Sequence, residues 1–167
     1  MKNPRTFAIG DIHGGLKALK QLLNKLKLQP DDHLIFMGDY VDGWSESAET
    51  IFYLMGLSKK QKCTFIKGNH DELCHEWLKT GTHTDEWVIH GGQATMDIYA
   101  RFSKEEIETQ LGFFEHLENY KILNEEKLFL HAGFTNLHGP GREYFSKMLY
   151  YLCFLIFIND RICGGKR

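Results

Sequence analysis

The chain is poor in several features whose absence narrows what it can be. It has only three prolines and no low-complexity or linker-like stretch, which argues against a disordered chain or a string of small modules. Neither sign of charge is in large excess. Twenty Lys and Arg against 22 Asp and Glu leave a formal charge of -2, so no overall field draws the chain to nucleic acid or to an anionic membrane. Its four cysteines, Cys63, Cys74, Cys153 and Cys163, form no C-x-x-C pair and no zinc-ribbon spacing. They read as reduced thiols of a cytoplasmic protein. Long apolar runs are also scarce. Phe7, Ala8 and Ile9 are too few for the apolar region of a signal peptide and read as a core strand. Residues 148–158 (MLYYLCFLIFI) form an uncharged run of eleven, short of the roughly 18 that a membrane-spanning helix needs.

What remains fits one globular domain: 167 residues, 43% hydrophobic and 25% charged, enough for a single substantial core. Strand-like and helix-like patterns alternate along the first two-thirds. An apolar run at 6–9 is followed by Leu16, Leu19, Leu22, Leu23 and Leu26, spaced three and four apart as on one helix face. A second strand is expected at 34–37 and a third at 63–66. Between them lies a helix with Ser45 as its N-cap and Glu46 and Glu49 in its first turn. A helix over 71–79 follows, then a capping box at Ser103 and Glu106 that opens another helix, then a fourth strand at 128–130. This alternation predicts an α/β layered domain.

The informative feature is what ends each strand. The four runs finish in G-D-I-H-G (10–14), G-D-Y-V-D-G (38–43), G-N-H-D (68–71) and H-A-G (131–133). In an α/β sheet the carboxyl ends of strands converge on one crevice, so Asp11, His13, Asp39, Asn69 and His131 are expected at one locus. Carboxylate, imidazole and amide oxygen together suit first-row divalent metals such as Mn, Fe or Zn. A carboxylate shared by two ions holds them at the spacing used in phosphoryl transfer, and Asp39 is the candidate bridge.

These four motifs, in this order, resemble those of the calcineurin-like metallophosphoesterases, most of all bacterial and phage serine/threonine protein phosphatases and diadenosine tetraphosphate hydrolases. The resemblance covers about residues 5 to 148. It implies a four-layer α/β/β/α sandwich with two divalent ions at the strand ends. Asp11, His13 and Asp39 would hold the first ion; Asp39, Asn69, His131 and one further histidine would hold the second. His70 takes the place of the general acid, and Asp71 that of the acidic residue that orients it. The implied activity is hydrolysis of phosphate esters by a metal-bridging water, most like a serine/threonine protein phosphatase. A diadenosine tetraphosphate hydrolase is the alternative, and a catalytically weak metal- or phosphate-binding fragment a third reading. The implied partner is a phosphorylated protein or small phosphoester, with no role for nucleic acid or membrane.

The sequence departs from that pattern in two places. Many members carry a phosphate-gripping arginine after the second aspartate of G-D-x-V-D, where this chain has Gly43 and Trp44; Arg142 and Arg101 are the substitutes to consider. Trp44 reads as a half-buried structural residue or as a flat surface for a base. The pattern also ends in a Gly-His-Thr-like element that supplies the last ligand. His138 is the only histidine after His131. The expectation is therefore a partial domain over 1–148, lacking its C-terminal strands, and an atypical apolar tail over 149–167, either a buried strand or helix or a product of truncation or frameshift. His33, His75, His83, His90 and His116 match no ligand motif and are expected on the surface or in packing, with His90, Gly91 and Gly92 resembling a rim segment.

Overall fold

The computed structural model describes residues 3–134, 136 and 138–142. The expectations for the 149–167 tail, including Cys153 and Cys163, lie outside them. Three parallel strands, β1 (Thr6–Ile9), β2 (His33–Phe36) and β3 (Lys62–Phe65), form one sheet in the order β1-β2-β3. The register pairs Ala8 with Ile35 and Ile35 with Thr64. All four residues of β2 are buried, as befits a central parallel strand covered on both faces. The period of two then divides its side chains. Leu34 and Phe36 join the helices in the main core, while Ile35 and Met37 face the other way, onto Ile66, Phe129 and Leu123.

The helical layer contains α1 (Leu16–Leu26), α2 (Ser47–Ser58), α3 (Asn69–Thr80), α4 (Asp85–Trp87), α5 (Gln93–Tyr99) and α6 (Lys104–Glu115). Leu16, Leu19 and Leu23 of α1 are buried, the stripe the leucine spacing foretells. Ser103 and Glu106 form the expected reciprocal cap of α6. Ser45 does not cap α2. The helix begins at Ser47 with Glu46 before it, because the loop first turns back so that the Trp44 amide can donate to the His13 carbonyl at 2.9 Å.

A second sheet lies on the face of β2 away from the helices. It pairs β4 (Tyr120–Leu123) with β5 (Lys127–Leu130), antiparallel. The described residues thus supply an α/β/β stack, and the mixed α/β class stands as expected. Two points differ from the sequence reading. β4 was not anticipated, and the fourth strand end, before His131, comes from the second sheet instead of the parallel one. Among the described residues no helix is long and apolar enough to cross a membrane.

One ion pair fastens the start of β1 to the loop before β2. The Asp32 carboxylate, 1% exposed, accepts from the Arg5 backbone amide (3.0 Å), Arg5 Nε (3.1 Å), Arg5 Nη2 (2.5 Å) and the Gln29 amide (2.7 Å). These bonds, Arg5's first, hold the carboxyl well below the usual carboxylate range although burial opposes them. A carboxyl depressed on folding stabilises the fold above its unfolded pKa of about 3.9, and that contribution fades as pH falls below it toward the folded value. Asp32→Asn is therefore expected to lower the unfolding midpoint at pH 7. In denaturant titrations the gap between the two proteins should be constant above about pH 5 and shrink toward pH 3. A gap unchanged at pH 3 would show that the charge of Asp32 is not what matters.

Candidate metal centre

The site is built where β1, β2, β3 and β5 end, and its geometry begins with backbone in unusual conformations. His13, Asp39 and Asp42 all have positive φ (49°, 53° and 71°), a region that costs a non-glycine residue on the order of 1–2 kcal/mol. The surroundings hold them there. The Asp39 carbonyl accepts from the Ile12 (2.9 Å) and His13 (2.8 Å) amides, and the Tyr40 carbonyl from the Gly14 amide (2.8 Å). On the opposite side the buried Asp71 carboxylate accepts from the amides of Asp39 (2.7 Å), Tyr40 (2.8 Å) and Gly68 (2.8 Å). One carboxylate thereby welds the loop after β2 to the loop after β3. The two loops touch so closely that a Cβ on Gly68 would lie 2.1 Å from Asp39 Oδ1 and 2.4 Å from Asp39 N, so only glycine fits.

Two histidines then present the same edge to one carboxylate. His131 Nδ1 lies 2.8 Å from the Met37 carbonyl, and His13 Nδ1 lies 3.0 Å from the Val41 carbonyl. A carbonyl only accepts, so each Nδ1 carries the proton and each Nε2 of the neutral ring is left with a lone pair. Those lone pairs face Asp39 Oδ2, at 3.3 Å from His131 and 3.7 Å from His13. The side-chain oxygen of Asn69 also faces His131 Nε2, at 3.2 Å. Imidazole nitrogens, a carboxylate that is 4% exposed and an amide oxygen converge with no donor of their own between them. Such a set calls for a cation, either a proton or a metal ion, and its N/O character fits a first-row divalent metal.

The electrostatics carry the same imprint. Burial raises the Asp39 carboxyl, but the imidazoles of His131 and His70 outweigh it and bring it below the usual range. Burial lowers His131, and the bond to Asp39 overrides it, pushing His131 up to about 9. Asp71 is driven upward by burial and by the neighbouring Asp39 charge, against the three amides that favour its ionised form.

Two clusters of potential ligand atoms lie within 4.8 Å of one another, Asp11, Asp39 and His131 in one and His13, Asp39 and His70 in the other. They divide Asp11 and His13 differently from the expected sets and include His70, which was expected as the acid. Asp39 belongs to both. Asp11 thus converges with His131 across the crevice, while His13 sits edge-on to the His70 ring, with centroids 4.9 Å apart. His138 is exposed, bonds through its amide to Asn136 Oδ1 (2.9 Å), and is in neither group. His33 bonds to Thr64 Oγ1 (2.9 Å) and His75 lies flat against Phe114, both packing roles. Trp44 is 71% exposed and so is not a half-buried structural tryptophan.

The pairing of His70 with Asp71 requires correction. Asp71 is turned to backbone amides, and the carboxylate that meets His70 Nδ1, at 2.7 Å, is Asp42 Oδ2. Burial works to lower His70, and the bond to Asp42 with the charges of Asp39, Asp42 and Asp71 reverses this, so His70 is raised. Asp42 is held in turn. Trp87 Nε1 donates to the same Oδ2 (2.6 Å), and Ser47 Oγ and Thr95 Oγ1 lie 3.1 Å from the Asp42 amide. Sequence reasoning quoted Asp42 in its motif without giving it a role. The available signal was its place three residues after Asp39 on a glycine-bounded turn, which returns a second carboxylate to the crevice. Beyond His70 a cavity of about 270 Å³ opens, walled by α3 and the segment 84–90.

Comparisons with known proteins bear on the family and the fold. The sequence model of the calcineurin-like phosphoesterase family matches residues 4–158. Serine/threonine-protein phosphatase 2 of Escherichia coli (strain K12) is 30% identical over 139 residues, 83% of this chain and 60% of that protein. A Saccharomyces cerevisiae protein serine/threonine phosphatase with similarity to human PP5 superposes with a TM-score of 0.65 at 20% identity, covering 88% of this chain and 48% of that one. A protein described as a candidate diadenosine tetraphosphatase superposes with a TM-score of 0.63, also at 20% identity, covering 89% and 63%. At that identity the two structures show a shared fold alone. The chain spans about 60% of the length of the curated relative it matches.

Two substitutions separate the scaffold of the centre from its ligands. Asp71→Asn replaces an acceptor-only carboxylate with an amide that turns donors toward donors, at a cost of about 2–4 kcal/mol. It should lower the melting temperature by roughly 10 °C. Gly68→Ala should leave the far-ultraviolet circular dichroism native while lowering divalent-metal affinity at least about 10-fold, because Asp39 has to move. Unchanged metal content by elemental analysis of Gly68→Ala would show that the close approach of these loops does not set the ligand geometry.

Proposed function

Because the chain belongs to the calcineurin-like phosphoesterase family, whose members generally use divalent metals, we propose that it hydrolyses phosphate monoesters with two such ions, most like a serine/threonine protein phosphatase. The observation that carries this reading is Asp39, common to both ligand groups and faced by the lone pairs of two histidines whose tautomers are fixed by backbone carbonyls. By the family pattern Asp11, His13 and Asp39 would hold one ion and Asp39, Asn69 and His131 the other. That division differs from the two clusters, where Asp11 stands with His131 and His13 with His70; Mn, Fe or Zn suit the donors. Such ions supply Lewis-acid charge for the phosphoryl oxygens and make a nearby water more acidic.

The chain's own residues then provide the rest. As water adds to phosphorus, the bond to the leaving oxygen breaks, and that oxygen needs a proton. His70 is placed to give it. Its Nδ1 is committed to Asp42, which leaves Nε2 as the delivering edge, and the bond to Asp42, working against burial, raises its pKa and so favours the protonated form. Asp42 stabilises the imidazolium before transfer, and Trp87 fixes the plane of that carboxylate. The proton lost by the attacking water replaces the one His70 has given up, so ester and water give alcohol and phosphate and the imidazolium is restored.

A second reading, hydrolysis of diadenosine tetraphosphate, is favoured by one observation. The exposed Trp44 stands at the mouth of the crevice, beside His13, and offers a face on which a base can stack. Turnover of p-nitrophenyl phosphate with added Mn²⁺ tests the phosphoesterase activity, and parallel assays on a phosphoserine peptide and diadenosine tetraphosphate choose between substrates.

His70→Asn is expected to lower kcat by roughly 10²- to 10⁴-fold on an alkyl phosphate and by less on an aryl phosphate, whose leaving group needs less protonation. Equal losses on both would remove the general-acid role. Asp39→Asn should lose most of the bound metal, and retention of full metal content by that variant would remove the bridging role.

A further inference from the structure

The cavity beside His70 is continuous with the metal-facing crevice, because Asn69 and His70 form one of its walls. Its position follows from the orientation of His70. Asp42 occupies Nδ1 and the His13 ring stands against one side of the imidazole, so the oxygen that receives the proton must lie at Nε2. Whatever is bonded to that oxygen lies beside His70, next to the cavity that His70 lines. The remaining walls are Leu73 and Trp87, with Thr84, Glu86 and His90 exposed at the mouth.

Resting on the phosphoesterase reading above, we infer that this cavity is the leaving-group subsite, and that Glu86 makes it select a phosphorylated peptide with a basic residue beside the phosphorylated one. Two features carry the inference. A volume of about 270 Å³ is small beside the 300–1,000 Å³ of ordinary ligand pockets, enough for a side chain and its adjoining backbone. The mouth is also negative. Glu86 lines it, and no lysine or arginine does so among the described residues. A leaving group that itself carries phosphates, such as a nucleoside polyphosphate, would meet the Glu86 carboxylate at that mouth, where no described lysine or arginine offsets it. A lysine or arginine next to the phosphoserine gains an ion pair instead. An exposed pair of this kind gives at most about a five-fold preference, so the subsite tunes selectivity without deciding binding.

The test uses the full chain loaded with Mn²⁺ and peptides in which a non-hydrolysable phosphonate replaces phosphoserine, flanked by lysine in one and glutamate in the other. Fluorescence-anisotropy titrations should show the lysine peptide binding about five-fold tighter. The difference should disappear in Glu86→Gln and invert in Glu86→Lys. Equal affinities in the native protein, or a preference that survives in both variants, would overturn the subsite. Because these titrations require no turnover, p-nitrophenyl phosphate hydrolysis in the same preparations judges the phosphoesterase reading separately. Loss of the charge preference with turnover intact sinks only the subsite, and absence of turnover sinks the reading beneath it.

Discussion

The arrangement of this site depends on one buried carboxylate that touches no ligand position. Asp71 accepts three amide hydrogens, two from the loop after β2 and one from the loop after β3. A buried carboxylate without partners would cost several kcal/mol, and three unpaired amides would cost more. Satisfied together, they fix the relative position of the two loops that deliver Asp39, Asp42, Asn69 and His70. The left-handed backbone of Asp39 and Asp42 is held by this same constraint. Strain and capping are thus two sides of one device, since the conformation that turns Asp39 inward also aims its amide at Asp71.

Orientation of the histidines rests on a simpler element. Backbone carbonyls of Met37 and Val41 take the Nδ1 protons of His131 and His13. Both carbonyls belong to the short stretch that continues β2, so the strand that contributes the shared carboxylate also sets the tautomers that face it. A shift of β2 register would therefore disturb ligand and ligand orientation together. The register is in turn fixed by the separation of Leu34 and Phe36 from Ile35 and Met37 onto opposite cores. Core packing and metal-site geometry are here the same fact seen from two faces of one strand.

Much of this was legible in the sequence, and the reasons are local. Short apolar runs ending in Gly-Asp or Gly-Asn mark both the strand and the turn that follows it, so Asp11, Asp39 and Asn69 were placed by punctuation alone. The leucine spacing of α1 and the cap of α6 were equally readable. The parts that were not legible depend on contacts between distant residues. His70 has an acid as its next neighbour in sequence, yet it bonds to Asp42, 28 positions away, and Asp42 is gripped by Trp87, 45 positions away. The hairpin of β4 and β5 was hidden for another reason. Its loop places Asn124 and Glu125 at positive φ, without the glycine that usually signals such a turn. Ser45 had the composition of a cap and lost the position because its loop was needed to reach His13.

The two halves of the site differ in what may vary without loss. The metal-facing half is drawn from strand ends whose loops interlock at backbone distance, and a Cβ added at Gly38 or Gly68 would collide with His131 or Asp39. The half beyond His70 is drawn from α3 and the exposed segment 84–90, where Thr84, Glu86 and His90 meet solvent and their side chains bear on no strand of the core. Besides Asn69 and His70, Trp87 links the two, buried at its ring and bonded to Asp42. A residue such as Glu86 can therefore change charge at little cost to the fold, while the indole one position later keeps the proton donor in place. The orientation of His70 is secured behind the mouth of the cavity, through Asp42 and the buried Trp87 indole.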